Sequence, residues 1–184
     1  MISSNRISGD EYNRLGLSNY RWANNKQKQL PRRNIKRGSV FQFDFGMNSV
    51  PEMSYEHRGI VIGLRNNLLY VLPVFTYQAN KHQKDLFDPI NNRNGNLYHI
   101  DPADHPFIKH ASIIKLDDIR CVSVSRIVYS HNYRMDIQSD EYKTIERAAL
   151  SNIFPQYDYL LKTLEKENAF LKYKIKQLED PPEM

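Results

Sequence analysis

The sequence predicts an α+β protein that is mainly β, a small antiparallel barrel followed by helices. About five to seven short strand-like runs occur between residues 36 and 130. No helical segments separate these runs, so the alternation that a parallel sheet requires is missing. From about Ser139 onwards the apolar residues follow a helical period instead. Together these patterns favour one antiparallel barrel with helices at its end.

The first three strands are predicted within residues 36–76. Phenylalanine occupies every second position of residues 41–45, which is the alternation of a half-buried strand. Two continuous apolar runs follow, G-I-V-I-G-L and L-L-Y-V-L-P-V-F-T, and the Asn-Asn pair at 66–67 between them predicts a tight turn. Pro73 inside the third run predicts an edge position or a bulge for that strand.

Two polar side chains stand at the ends of the second and third predicted strands. Arg58 opens the second strand and Thr76 closes the third. In a small barrel, two strand ends can meet at one mouth of the sheet, where an arginine and a hydroxyl make a site for a phosphate. This placement points to nucleic acid as the ligand.

Residues 77–110 are polar and rich in turn signals, which predicts a long loop with one short strand at L-Y-H-I. Two or three more strands are expected after it, at A-S-I-I-K, I-R-C-V-S-V and R-I-V-Y-S. The loop region also holds five residues of types that bind metals, at a spacing that matches no compact ligand motif: His99, Asp101, Asp104, His105 and His110. We therefore expect a solvated loop, no metal site and no cofactor.

Two helices are predicted after the strands. The sequence S-D-E-Y from Ser139 resembles a helix N-cap with acids in the first turn. Pro155 interrupts this helix, and a second helix is expected to begin there because proline is tolerated in a first turn. The second helix carries a heptad pattern with a 4-3 spacing: Tyr157, Leu161, Leu164, Asn168, Leu171, Ile175 and Leu178.

The heptad pattern predicts a parallel two-stranded coiled coil over residues 155–180. With Leu161 at position a, Asn168 is also at a, and a single Asn there among Leu at d specifies this arrangement. Charges agree, since Glu167 would face Lys172 of a partner helix and Lys174 would face Glu179. The alternative is an amphipathic helix that packs against its own barrel.

Composition limits the classes of protein that fit. The 184-residue chain has 26 basic and 21 acidic residues, a formal net charge of +5 that mildly favours an anionic partner. Cys121 is the single cysteine, which excludes an intramolecular disulfide and a cysteine-based zinc site and suits the cytoplasm. No apolar run approaches the roughly 20 residues of a membrane span, and the first residues lack an apolar signal core. We expect a cytoplasmic protein without membrane association.

Residues 1–35 form a polar arm that becomes basic towards its end. No acidic residue occurs between positions 21 and 37, and Tyr20 and Trp22 stand at the start of this basic stretch. Cations beside aromatic rings suit phosphates and unstacked bases. Four residues are the predicted RNA contacts: Arg32, Arg33, Lys36 and Arg37. The alternative is a solvated arm that contacts no partner.

Several segments in the same order resemble the MazF/PemK family of toxin endoribonucleases. K-R-G-S-V-F-Q-F-D-F resembles the family's opening strand, and E-H-R-G-I-V-I resembles its R-P-V-L-V-I strand. P-V-F-T-Y-Q resembles its I-T-x-Q strand end, and S-I-I-K-L-D-D-I-R-C-V-S-V-S-R-I gives the longest match. The resemblance covers residues 36–154. One departure is that Gly59 follows Arg58, where the family has proline.

The resemblance implies a fold and a reaction. The fold is an SH3-like barrel of the MazF/PemK/CcdB type over residues 36–154. The reaction is metal-independent cleavage of single-stranded RNA, in which the 2′-OH attacks the adjacent phosphorus and leaves a 2′,3′-cyclic phosphate and a 5′-OH end. Arg58 and Thr76 match the family's catalytic pair, with Arg58 stabilising the charged transition state. His57 is a further candidate base next to Arg58, and Gln78 is a candidate RNA contact.

The resemblance also implies partners and leaves alternatives. It implies a homodimer with RNA over the interface groove, neutralised by a protein antitoxin that blocks this groove. The heptad helix would then assist the dimer or receive the antitoxin. Two other functions remain open: a toxin of the same fold that binds DNA gyrase without needing Arg58 and Thr76, and an RNA-binding module without catalysis.

Overall fold

The computed structural model describes residues 8–27, 34–50 and 52–179. These residues form seven strands, namely β1 (Ser39–Asp44), β2 (Glu56–Arg65), β3 (Leu68–Thr76), β4 (Leu97–Ile100), β5 (Ser112–Lys115), β6 (Arg120–Ser123) and β7 (Ile127–Arg134). The α-helices are α1 (Gly9–Asn25), α2 (Ala79–His82), α3 (Asp140–Ile153) and α4 (Pro155–Glu179). Among the described residues, no helix is long and apolar enough to cross a membrane.

All seven strands belong to one antiparallel sheet. Its order is β4-β5-β3-β2-β1-β7, and β6 pairs with the first half of β3. Within the described residues no pairing joins β7 to β4 or β6, so the hydrogen-bonded sheet is not closed. The predicted α+β class, the antiparallel sheet and the C-terminal helices are confirmed, whereas closure into a barrel stays a prediction.

The two faces of the sheet carry separate apolar cores. Because side chains alternate along a strand, even-numbered residues of β1, β2 and β3 point to one face, which packs against α3 and is called the α3 face. Its core contains Val40, Ile60, Leu72, Val74 and Ile114 from the sheet, with Tyr142, Ile145 and Ala149 from α3. The opposite face buries Phe41, Phe43, Val61, Leu69, Val71 and Val122.

Strand β3 lies inside the sheet, so the predicted edge position of Pro73 is wrong. β3 pairs with β2 on one side, and with β6 and β5 in turn on the other. The β6 pairing ends at Val71 and the β5 pairing begins at Val74. Pro73 falls between the two, where no strand needs the N–H that proline lacks.

The N-terminal arm contains helix α1, which the sequence analysis missed. The hydroxyl of Ser8 caps the helix by accepting a hydrogen bond from the N–H of Glu11 at 3.2 Å. The buried Ser18 donates to the carboxylate of Asp44 at 2.9 Å. Arg21 forms ion pairs with Asp44 at 3.5 Å and with Glu56 at 2.5 Å. Polar contacts therefore fix α1 to the ends of β1 and β2.

Replacing Ser18 by alanine is expected to loosen α1 from the sheet. The variant loses the hydrogen bond to Asp44, and a lost bond of this kind costs about 1 kcal/mol. Hydrogen exchange measured by mass spectrometry should become several-fold faster in α1. Asn19→Ala, at the exposed neighbouring position, is the control and should leave the exchange unchanged or slower. Equal protection in both variants would contradict this attachment.

Both C-terminal helices begin where the sequence predicts. The hydroxyl of Ser139 caps α3 by accepting from the N–H of Tyr142 at 3.1 Å, and α4 begins at Pro155. Arg147 of α3 is linked to the first half of α4 because it donates two hydrogen bonds to Glu165, at 2.9 and 3.0 Å. No described residue of α4 is buried, so its heptad seam does not pack on the sheet as the alternative supposed.

Candidate functional site

Arg58 and Thr76 lie on the same face of neighbouring strands. Arg58 is the even-numbered residue of β2 that precedes Ile60, and Thr76 is the residue of β3 that follows Val74, so both point to the α3 face. Arg58 pairs directly with Val74. Thr76 is therefore its diagonal neighbour, at about 7–8 Å between Cα atoms, where the α3-face core ends.

The guanidinium group of Arg58 has no partner within the described residues. It takes part in no ion pair there, and its Nε atom is buried without a hydrogen bond. A buried donor left unpaired is costly, and an arginine offers a planar fork of donors that matches a phosphate. Arg58 is thus in a state to bind an anion. The hydroxyl of the exposed Thr76 is on the same side to complete the contact.

Two further polar side chains extend this pair across the sheet. Gln42 of β1 pairs directly with Arg58, and its Oε1 lies 3.3 Å from Nε2 of His131 in β7. Four adjacent strands thus contribute one residue each, in the order β3, β2, β1 and β7. We call Thr76, Arg58, Gln42 and His131 the polar row.

The surroundings of His131 favour the neutral form of its imidazole. Burial lowers the pKa of its imidazole, and the positive charge of Arg58 lowers it further. An amide oxygen only accepts hydrogen bonds. The contact with Gln42 therefore requires a proton on Nε2 and leaves Nδ1 of the neutral ring free to accept one.

Aromatic rings surround His131. The ring of Tyr129 lies 5.1 Å from it between centroids, and the ring of Phe107 lies 6.4 Å from it. Phe107 is buried, whereas Tyr129 is 49% exposed and available to stack on a base. The end of the polar row therefore places an exposed aromatic ring, on which a nucleobase can stack, next to the imidazole of His131.

The histidine-rich loop is less solvated than predicted. His105 is only 3% exposed, and its Nε2 lies 3.1 Å from the carboxylate of Glu141 in α3. Its Nδ1 lies 3.4 Å from the hydroxyl of Tyr133. The expectation of a solvated loop is wrong for this residue, because the loop closes over the α3-face core. Within the described residues no three metal-binding side chains are grouped.

His57 and Gln78 lie near the polar row without joining it. His57 pairs with Phe43 and so points to the face opposite Arg58, with a pKa lowered by burial and then by the charge of Arg14. Gln78 follows Thr76 by two residues and is exposed. Its backbone N–H donates to Nδ1 of His82 at 2.9 Å, and its side chain remains a candidate RNA contact.

Of the four predicted RNA-binding cations, the two that the structure describes do not lie at the polar row. Arg32 and Arg33 lie outside the described residues. Lys36 is exposed just before β1. Arg37 is engaged by α3, where it pairs with Glu146 and lies 5.9 Å from the ring centroid of Tyr142. Both described cations lie at the end of β1 away from Gln42.

The sequence analysis missed Gln42 and His131. Gln42 stands between two phenylalanines and was interpreted only as the solvent side of a half-buried strand. His131 follows the R-I-V-Y-S run by one residue, and the alternation continues through it to Arg134. Extending the strand by that alternation would have placed His131 in β7. Its contact with Gln42 depends on the β1–β7 pairing, for which the local sequence carries no signal.

Comparison with known proteins adds no identification. The chain matches no protein-family model, and no curated protein matches it. The resemblance to the MazF/PemK family therefore stays a prediction drawn from short segments.

Proposed function

We propose that this protein is a toxin-type endoribonuclease that cleaves single-stranded RNA in the cytoplasm without a metal ion. The observation that carries the proposal is the unpartnered guanidinium of Arg58, which shares one sheet face with the hydroxyl of Thr76 and the neutral His131. An arginine without a carboxylate partner suits a phosphate, and a base nearby suits removal of a ribose proton. The antitoxin remains an expectation of the resemblance alone.

Each residue of the polar row has a role in this reaction. His131 removes the proton from the 2′-OH, whose oxygen forms a bond to the adjacent phosphorus while the bond to the 5′ oxygen breaks. Arg58 stabilises the charge that develops on the phosphoryl oxygens. Thr76 donates to one of these oxygens. Gln42 holds the imidazole in the tautomer that accepts at Nδ1. Water gives a proton to the leaving 5′ oxygen, and the imidazolium of His131 returns the proton it removed to the solvent.

We also infer that the sheet is an SH3-like barrel. The pairing of β3 supports this inference. Strand β3 pairs with β2 along one side, and along the other side it pairs first with β6 and then with β5. Such branching occurs where a sheet bends sharply. A second core on the face opposite α3, with Val122 of β6 among its members, is what a barrel interior requires.

The proposal is tested by incubating the purified protein with total RNA in EDTA and mapping the ends of the products. We expect cleavage with 5′-OH ends and 2′,3′-cyclic phosphates. Cleavage that needs an added divalent ion, or that leaves 5′-phosphates, would contradict the mechanism. Toxicity in cells that survives both Arg58→Met and Thr76→Val would instead favour the gyrase-binding alternative.

The pH dependence of cleavage should report His131. A base acts when unprotonated, so the rate should rise with pH to a plateau, and the midpoint of this rise should lie below the ordinary histidine pKa of 6.5, because burial and Arg58 lower the pKa of His131. His131→Asn should lower the plateau rate about 100-fold and remove this acid limb. His110→Asn, at an exposed site, is the control. An acid limb that persists in His131→Asn would exclude His131 as the base.

A further inference from the structure

The outer part of α4 is a long exposed helix. Every residue from Leu164 to Glu179 is exposed, a span of about 24 Å at 1.5 Å per residue. In proteins most of the stability of a helix comes from packing of its apolar face rather than from helix propensity. Its apolar residues at heptad spacing are 53–82% exposed: Leu164, Leu171, Ile175 and Leu178. No described residue covers this apolar stripe. A partner that packs against it is therefore needed to stabilise the helix.

We propose that α4 pairs with α4 of a second copy of this chain as a parallel, in-register coiled coil from Leu161 to Leu178. Leucines occupy the d positions, and Asn168 occupies an a position, where it meets Asn168 of the second copy only in a parallel alignment. In an antiparallel alignment centred on this seam, Asn168 would face Leu171 and leave its amide unpaired. This inference does not depend on the proposed ribonuclease activity.

The charges flanking the seam favour the same arrangement. In the parallel dimer Glu167 faces Lys172 and Lys174 faces Glu179, and none of these four forms an ion pair with another described residue. The antiparallel dimer would instead pair Lys174 with Glu167 and Lys172 with Glu165, and it would bring Glu179 opposite Asp158, a repulsive contact. Glu165 is already engaged by Arg147 through two hydrogen bonds, at 2.9 and 3.0 Å.

The same ion pair fixes where the coiled coil begins. Arg147 also approaches Asp158 at 3.6 Å, so the first turns of α4 are attached to α3. Tyr157 and Leu161 are 60% and 47% exposed beside an open groove between α3 and α4. The seam therefore starts at the level of this groove, and the two sheets would lie at the same end of the coiled coil. The polar rows of both copies would then be linked in one molecule, which raises avidity for an RNA long enough to reach both.

The test is disulfide formation in the full chain. In a Cys121→Ser background, which removes the exposed native thiol, Asn168→Cys places a thiol on the seam. Lys166→Cys places one on the outer side of the helix two residues earlier. Under mild oxidation we expect a covalent dimer from most of the Asn168→Cys protein and at least ten-fold less from Lys166→Cys. Circular dichroism of both reduced variants checks that α4 stays helical.

Each other result overturns the proposal. Equal crosslinking of the two variants would indicate random collisions, and no crosslinking of Asn168→Cys would exclude a parallel seam. Mixing Asn168→Cys with Leu171→Cys tests orientation, because a mixed disulfide formed in preference to the Asn168→Cys homodimer means an antiparallel pair. If the protein stays monomeric and α4 binds only a different protein, the apolar stripe is a binding surface for that protein and not for a second copy.

Discussion

Arg58→Met is expected to lower the rate of RNA cleavage about 100- to 1,000-fold, the usual effect of removing one preorganised donor from a charged transition state. The same change should leave the melting temperature unchanged or raise it. Within the described residues Arg58 has no ion pair and has a buried Nε without a hydrogen bond. Methionine removes this unpaired donor, and it leaves no described carboxylate without an ion-pair partner.

The opposite movement of activity and stability is the discriminating result. If Arg58 served only as a structural cation at a strand end, its loss would lower the melting temperature. Arg65→Met is the matched control, since Arg65 lies in the same strand at the exposed far end. It should cleave RNA at the wild-type rate. Full activity in Arg58→Met would remove the residue from the proposed site.

Most strands and helices of the fold could be predicted from local sequence patterns. The alternation of phenylalanines placed β1, and the run L-L-Y-V-L-P-V-F-T coincides with β3 from Leu68 to Thr76. The left-handed backbone at Asn66, with φ of 54°, closes the predicted turn between β2 and β3. Capping chemistry placed the start of α3 at Ser139 and that of α4 at Pro155. Signals of this kind act over a few residues, so the sequence shows them directly.

Long-range contacts were beyond these patterns. Pro73 was expected at an edge or a bulge, because the sequence of its own strand cannot reveal that β6 pairs before it and β5 after it. Helix α1 is polar and is held by the hydrogen bond between Ser18 and Asp44, which are 26 residues apart. The sequence therefore has no apolar stripe there that would have predicted the helix. The contact between Gln42 and His131 joins residues 89 positions apart. Arg58 and Thr76 were found from their positions at two strand ends, and the resemblance gave them catalytic roles. The rest of the polar row needed the sheet register.

Gly59 shows how packing accounts for one departure from the resembling family. The family has proline after its arginine, whereas here Gly59 faces the core opposite α3. A Cβ at this position would lie 2.3 Å from Cγ1 of Val71 and 2.9 Å from Cδ2 of Phe43. Both neighbours are fully buried and cannot move aside. The Phe43 ring therefore fills the space that a side chain at position 59 would take.

Gly59→Pro, which introduces the Arg-Pro dipeptide of the MazF/PemK family, is expected to destabilise the fold severely. Overpacking costs about 1–3 kcal/mol, and the ring also removes an N–H. That N–H faces β1, since Gly59 pairs with Phe41 and alternates with Val61, whose carbonyl accepts from Gly38 at 2.7 Å. The acceptor left in β1 costs about 1–3 kcal/mol more. Urea unfolding should show a midpoint far below wild type or no cooperative transition.

Gly59→Ala separates the two causes, because it keeps the N–H and adds only the Cβ. It should cost about 1–3 kcal/mol, whereas Gly63→Ala, where the nearest atom is the ring edge of Tyr70 at 3.3 Å, should cost less. The double variant Gly59→Ala with Val71→Ala should be destabilised by less than the sum of the two single changes. Shortening Val71 removes the atom with which the new Cβ would collide, and the new Cβ fills part of the space that Val71 leaves. Strict additivity would show that the collision with Val71 is not what excludes a side chain here. A stable Gly59→Pro would mean that β2 tolerates the family's dipeptide, and the departure would then have no basis in packing.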